Sequence, residues 1–128
     1  MTKRTIPMFP LSLVLFPEQI LPLHIFEDRY RTMVEEIIDD DREFGVVLIE
    51  RGSEVGGGDT RKSIGTLAEI IDSEKSNDGR WLLITKGTKR IETSRWLEDS
   101  PYPRAEVSFL DEEEFISFDA QEWLKIVT

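Results

Sequence analysis

Apolar and polar positions change their spacing several times along the chain, and each change predicts a different element. Over residues 5–26 the apolar run is punctuated by Pro7, Pro10, Pro17 and Pro22. Each proline removes a backbone donor and disfavours helix at the residue before it. Extended edge strands are predicted there, with residues 13–16 and 20–26 as the pieces richest in branched and aromatic side chains. Between residues 27 and 40 the spacing becomes helical, because Tyr30, Met33, Val34, Ile37 and Ile38 recur on one face. Asp28 complements the positive end of that helix, and the acidic trio Asp39, Asp40 and Asp41 is expected to end it.

Residues 44–49 form a continuous apolar run with one glycine, the pattern of a strand buried on both faces. The stretch 51–63 carries Gly52, Gly56, Gly57 and Gly58 among charges and is predicted as a mobile loop. Residues 66–72 and 80–85 read as a hairpin around Asn77, Asp78 and Gly79, which tolerate a positive φ. Strand-like alternation resumes after Gly87 over residues 89–97 and again at Ala105, Val107 and Phe109, with a loop at 98–103 between them. Asp119 and Glu122 then resemble a capping box for a helix carrying Trp123, Leu124 and Val127. Only about two turns fit before the last residue, which predicts a truncated helical segment over 119–128 behind a domain at 1–118.

Composition narrows what such a fold can do. A chain of 128 residues with 39% hydrophobic and 33% charged residues supports one domain with a packed core. The formal net charge of −10 repels phosphate and anionic lipid and favours basic partners. Without cysteine there is no disulfide framework or thiolate metal site. No apolar stretch reaches the roughly 20 residues of a spanning helix, and no signal-peptide cleavage pattern follows Lys3 and Arg4. A soluble, cytoplasmic protein without a membrane partner is expected.

The candidate chemistry is weak at every motif. Residues 56–63 read GGGDTRKS, yet a phosphate loop needs glycine directly before Lys-Ser, and Arg61 occupies that place. His24, the sole histidine, lies among apolar neighbours and is expected to be a hydrogen-bonded structural residue inside a barrel rim. The acidic runs at 39–41 and 111–114 lack the spacing of a calcium loop and read as solvated charge. Lys62–Ser63 and Lys75–Ser76 stand in polar stretches that would not desolvate a catalytic lysine. No cofactor, metal or catalytic residue is assigned. For recognition, Trp96 and Tyr102, flanking the 98–103 turn, with Arg95 beside them, are the first candidates for a protein-binding patch; Trp81 reads as core.

Several segments together resemble the N-terminal, substrate-binding (LON) domain of Lon proteases. They are IPMFPLSLVLFPEQILPLHIFEDRYRTMVEEIIDDDREFGVVLI at 6–49, IGTLAEI at 64–70, DGRWLLITKGTKRIE at 78–92 and PYPRAEV at 101–107. The resemblance implies a mainly β, PUA-like pseudobarrel of about six strands with one embedded helix. It also implies a non-catalytic module that captures unfolded or tagged protein clients and supports oligomer assembly, so a homo-oligomer is a possible state. The ATPase and Ser-Lys peptidase of Lon lie in later domains, so neither activity carries over. The alternative is an RNA-binding PUA-like module, for which only Lys86, Lys89, Arg90 and Arg95 supply local positive charge; nucleic acid is therefore the weaker partner.

Overall fold

A computed structural model describes residues 3–50 and 60–114. The elements are β1 (Lys3–Leu11), β2 (Ile20–Ile25), α1 (Asp28–Ile37), β3 (Glu43–Glu50), β4 (Thr60–Lys75), β5 (Trp81–Trp96) and β6 (Arg104–Leu110). The sheet order is β2-β5-β4-β3-β1-β6, and β6 pairs back onto β5. Five strands therefore close into a ring, with β2 as an extra leaf on the first half of β5. β1 and β3 are parallel and every other pair is antiparallel. The parallel pair requires a crossover, which β2 and α1 supply. This is the expected mainly β pseudobarrel with one embedded helix.

β1 lies between β3 and β6, not at an edge, yet it keeps the character of one. Residues 3–7 pair with β6 and residues 8–11 pair with β3, so each half has a strand partner on one side only. That split is how the strand holds Pro7 and Pro10. No strand forms at 13–16. The chain bends at Ser12 and Leu13, Leu15 is buried, and its carbonyl accepts the Thr66 hydroxyl at 2.6 Å. A side chain thus takes the place of a ladder partner.

The hairpin forms where the sequence places it, with strands longer than expected. Gly79 adopts a φ of 90° at the turn, and the Ser76 amide bonds the Arg80 carbonyl at 2.8 Å. β4 already begins at Thr60, inside the predicted loop, while 51–59 lie outside the described residues. β5 runs through Gly87 without a break: residues 81–86 pair with β2 and residues 90–96 with β6. The handover is filled by the loop before β2. Gly87 donates to the Gln19 carbonyl at 2.9 Å and accepts from the Glu18 amide at 2.7 Å, and a Cβ at position 87 would lie 2.3 Å from the Phe16 carbonyl oxygen.

Two apolar clusters result. Ile6, Met8, Val47, Leu67, Ile91, Ala105 and Val107 fill the ring. Tyr30, Met33, Val34 and Ile37 of α1 pack on Phe44, Val46, Ile70, Trp81 and Leu83. β3 serves both clusters because alternate side chains point to opposite faces, which is why its apolar run is unbroken. α1 ends as predicted near the acidic trio. Arg42 relieves the crowded negative end by donating from Nε to the Ile38 carbonyl at 2.9 Å, and Arg4 pairs with Asp41 and Glu43 at 2.6 and 3.0 Å.

Consecutive glutamates tie α1 to its surroundings. Glu35 accepts from the Trp81 indole at 3.3 Å and pairs with Lys75 at 2.7 Å; the bond from Lys75 holds its carboxyl below the usual range. Glu36 accepts the Tyr102 hydroxyl. Burial, with that bond to Glu36 second, pushes the Tyr102 phenol up to about 12. A phenol raised above its ordinary value near 10 stabilises the fold fully below pH ~10, and that contribution is lost as pH rises toward 12. Tyr102→Phe is expected to cost about 1 kcal/mol near neutrality, the worth of the hydrogen bond. The gap to the parent should shrink above pH ~10, read by urea unfolding at pH 8 and 11. A gap that stayed constant would show that Tyr102 ionises without resistance.

At the other end, Asp111 Oδ1 accepts the Glu114 amide at 2.7 Å and Glu114 Oε1 accepts the Asp111 amide at 3.3 Å. This reciprocal capping box opens a helical turn at Glu112. The acidic run read as merely solvated is therefore a helix start. The box expected at Asp119 and Glu122 lies outside the described residues.

Candidate apolar recognition cleft

The end of β1 and the end of β2 diverge, because β1 stays in the ring while β2 leans on β5. The gap is a cleft of about 850 Å³, within the range of ligand clefts in proteins. Its walls come from four chain segments: Phe9 to Ser12, Leu23 to Phe26, the start of α1 with Glu27, Arg29 and Tyr30, and Ile49 of β3, with Asp99 at the mouth. Alternation along β1 sends Ile6 and Met8 into the ring and leaves Phe9 and Leu11, both half-buried, against the helix-side cluster. The Phe9 ring lies 4.3 Å from that of Tyr30 and 6.1 Å from that of Phe44, which fixes the wall.

The charged residues at the mouth are mutually satisfied. The Arg29 guanidinium sits 4.7 Å over the Tyr30 ring and pairs with Glu27 at 3.2 Å and Asp99 at 3.5 Å. It bridges the start of α1 to the 97–103 turn. Phe26 stands at the rim, 59% exposed. His24 is also exposed, its ring 5.6 Å from Phe26. This corrects the expectation of a histidine inside the barrel: even-numbered residues of β2 point outward while Leu21 and Ile25 point into the core. An aromatic and aliphatic trough of this kind offers burial to apolar side chains.

Trp96, Tyr102 and Arg95 do not form one patch. Tyr102 is 8% exposed and belongs to the helix-side cluster, whereas Trp96 is half-buried against the ring cluster. Arg95 is exposed and paired with Glu106 at 2.8 Å. Expecting Tyr102 at a surface overlooked that Glu36 could satisfy its hydroxyl and let the ring be buried. Trp81 is buried as expected. The locally basic stretch is likewise engaged within the chain. Lys86 pairs with Glu18 at 3.1 Å, Lys89 lies 5.7 Å over Phe109 and Arg90 5.2 Å over Phe16. Lys89 and Arg90 line one pocket with Phe16 and Thr88, while Lys86 and Arg95 are each held by a carboxylate.

Comparison with known proteins matches this geometry to one family. The ATP-dependent protease La (LON) substrate-binding domain matches residues 5–125. A Lon protease of Desulfosudis oleivorans is 35% identical over 114 residues, covering 86% of this chain and 14% of that protein. A LON peptidase N-terminal domain and RING finger protein of Schizosaccharomyces pombe is 26% identical, covering 80% of this chain and 23% of its own length. The chain thus spans a small fraction of the curated relatives it matches. Among solved structures, a Lon N-terminal domain protein from Xanthomonas campestris superposes with a TM-score of 0.71 at 32% identity, covering 84% of this chain and 60% of that one. The N-terminal domain of a Mycobacterium avium complex Lon protease, at 15% identity and a TM-score of 0.62, shares the fold. Among the described residues no helix is long and apolar enough to cross a membrane.

Proposed function

From the premise that the chain belongs to the LON substrate-binding domain family, we propose that it recognises other polypeptides by sheltering their exposed apolar segments in the cleft between β1, β2 and α1. Binding, not bond cleavage, is the activity of this reading. The observation that carries it is the trough of Phe9, Leu11, Leu23, Phe26 and Ile49, which opens to solvent at Phe26. Unfolded chains display apolar side chains that folded ones hide, so burial itself selects the client. Pairing along the free edge of β2 is the weaker mode, because Pro22 in the middle of that strand has no amide to donate.

The test is capture of a fluorescent, reduced and carboxymethylated α-lactalbumin. Leu11→Ser with Phe26→Ser is expected to weaken capture roughly thirtyfold, since each truncation removes on the order of 1 kcal/mol of apolar burial. Trp96→Ala should leave it unchanged. Full capture by the double variant, with its melting transition intact, would remove the cleft from consideration; loss in Trp96→Ala would move the site to the 98–103 turn.

A further inference from the structure

The sheet face opposite α1 carries a second surface that shares only His24 with the cleft. Directly paired residues of β2, β5 and β4 share a face, and their register builds three rows across the leaf: Ile20, Lys86, Glu69; Pro22, Ile84, Asp72; and His24, Leu82, Glu74. Ile20 and Leu82 are 48% and 56% exposed, and Pro22 and His24 are exposed beside them. A bulge between Ile70 and Asp72 turns Ile71 outward next to the same rows. The face is thus an apolar strip along β2 and β5 with a line of carboxylates along β4.

Those carboxylates are not neutralised. Among the described residues Glu69, Asp72 and Glu74 form no ion pair, whereas Glu18, Glu27, Glu35, Glu43 and Glu106 each have one. Asp72 and Glu74, two positions apart, stand roughly 7 Å from one another, and Lys86, the cation in register beside Glu69, is held by Glu18. We propose that this face docks a polypeptide segment in which apolar side chains alternate with lysine or arginine. The apolar side chains would lie on Leu82, Ile84 and Pro22 while the cations meet the β4 carboxylates. A second copy of the chain is disfavoured as occupant, because it would bring the same acidic row and another net charge of −10 to the contact. The proposal rests on the reading of the domain as polypeptide-binding and adds to it the charge of the client.

Three labelled, unstructured peptides with the same leucine content test it, their remaining positions filled with lysine, serine or glutamate. The parent should bind the lysine peptide most tightly, with affinity falling as salt rises. The triple variant Glu69→Lys, Asp72→Lys, Glu74→Lys should weaken that peptide roughly tenfold and abolish its salt dependence, leaving the serine peptide unchanged. Leu82→Ser should weaken the lysine peptide alone. Unaltered lysine-peptide affinity in both variants would overturn the proposal, as would a Leu82→Ser variant that changes only self-association in sedimentation. The Leu11→Ser, Phe26→Ser variant separates the two readings: if it still holds the serine peptide while the lysine preference persists, the cleft fails and the face stands.

Discussion

Gly87→Ala is expected to destabilise the fold by about 3 kcal/mol, among the largest effects of adding a single methyl group. The added Cβ would sit 2.3 Å from the Phe16 carbonyl oxygen and 3.1 Å from Thr66 Cγ2. A flexible side chain could swing away, but Phe16 presents backbone, and the next residues are held to Gly87 itself by hydrogen bonds from Glu18 and to Gln19. Moving the loop would break both bonds, and leaving it in place would bend β5 where it passes from β2 to β6. Urea unfolding followed by tryptophan fluorescence measures the loss. A cost under about 1 kcal/mol would mean that the handover is looser than its packing implies.

Phe44→Ala is expected to remove about 4 kcal/mol. Phe44 is fully buried and packs in the helix-side cluster, where its ring neighbours Phe9. Truncation leaves a cavity under the wall of the cleft, so a second effect follows from the first. Phe9 loses its backing, and capture of an unfolded client should weaken even in the fraction that remains folded. Folded domains hold about 5–15 kcal/mol in total, so the melting transition should fall well before the cleft is lost. Capture that weakened only in proportion to unfolding would show that Phe9 is held by Tyr30 alone.

Much of the architecture was legible because periodicity reports which face of an element is wet. The 3.6-residue spacing of Tyr30, Met33, Val34 and Ile37 marked α1, and the unbroken run at 44–49 marked a strand that feeds two cores. The Asn-Asp-Gly turn marked the hairpin. What misled was chemistry whose meaning depends on distant partners. Glycine at 87 reads as a break from its neighbours alone, but the Phe16 loop makes it a hinge inside one strand. Residues 13–16 have strand composition, yet the Thr66 hydroxyl takes the Leu15 carbonyl that a ladder would have used. Asp111 and Glu114 read as a charge run because their reciprocal bonds depend on a turn that the composition does not announce.

The candidate cleft was less legible than the fold. Its walls come from residues 9–12, 23–30, 49 and 99, and no local window contains more than one of these stretches. The available signal was the excess of apolar residues in the proline-punctuated segment 5–26, more than one edge of a sheet can bury. Tyr102 and Trp96 drew attention as aromatics beside a turn. Each is instead claimed by a different core, and that allotment follows from the path of β6 across β5.

That path also sets a schedule for the growing polypeptide. Lys3 pairs with Ser108 and Arg4 with Val107, so the earliest strand has to wait for the latest before it gains that neighbour. During translation α1, β2 and the β4–β5 hairpin can assemble while β6 is still inside the ribosome, and the cylinder shuts only once β6 has emerged. Closure between such remote stretches is entropically slow. Until then the ring core of Ile6, Met8, Val47, Leu67 and Ile91 lies open on the side that Ala105 and Val107 will cover, and the nascent domain displays a greasy surface of its own.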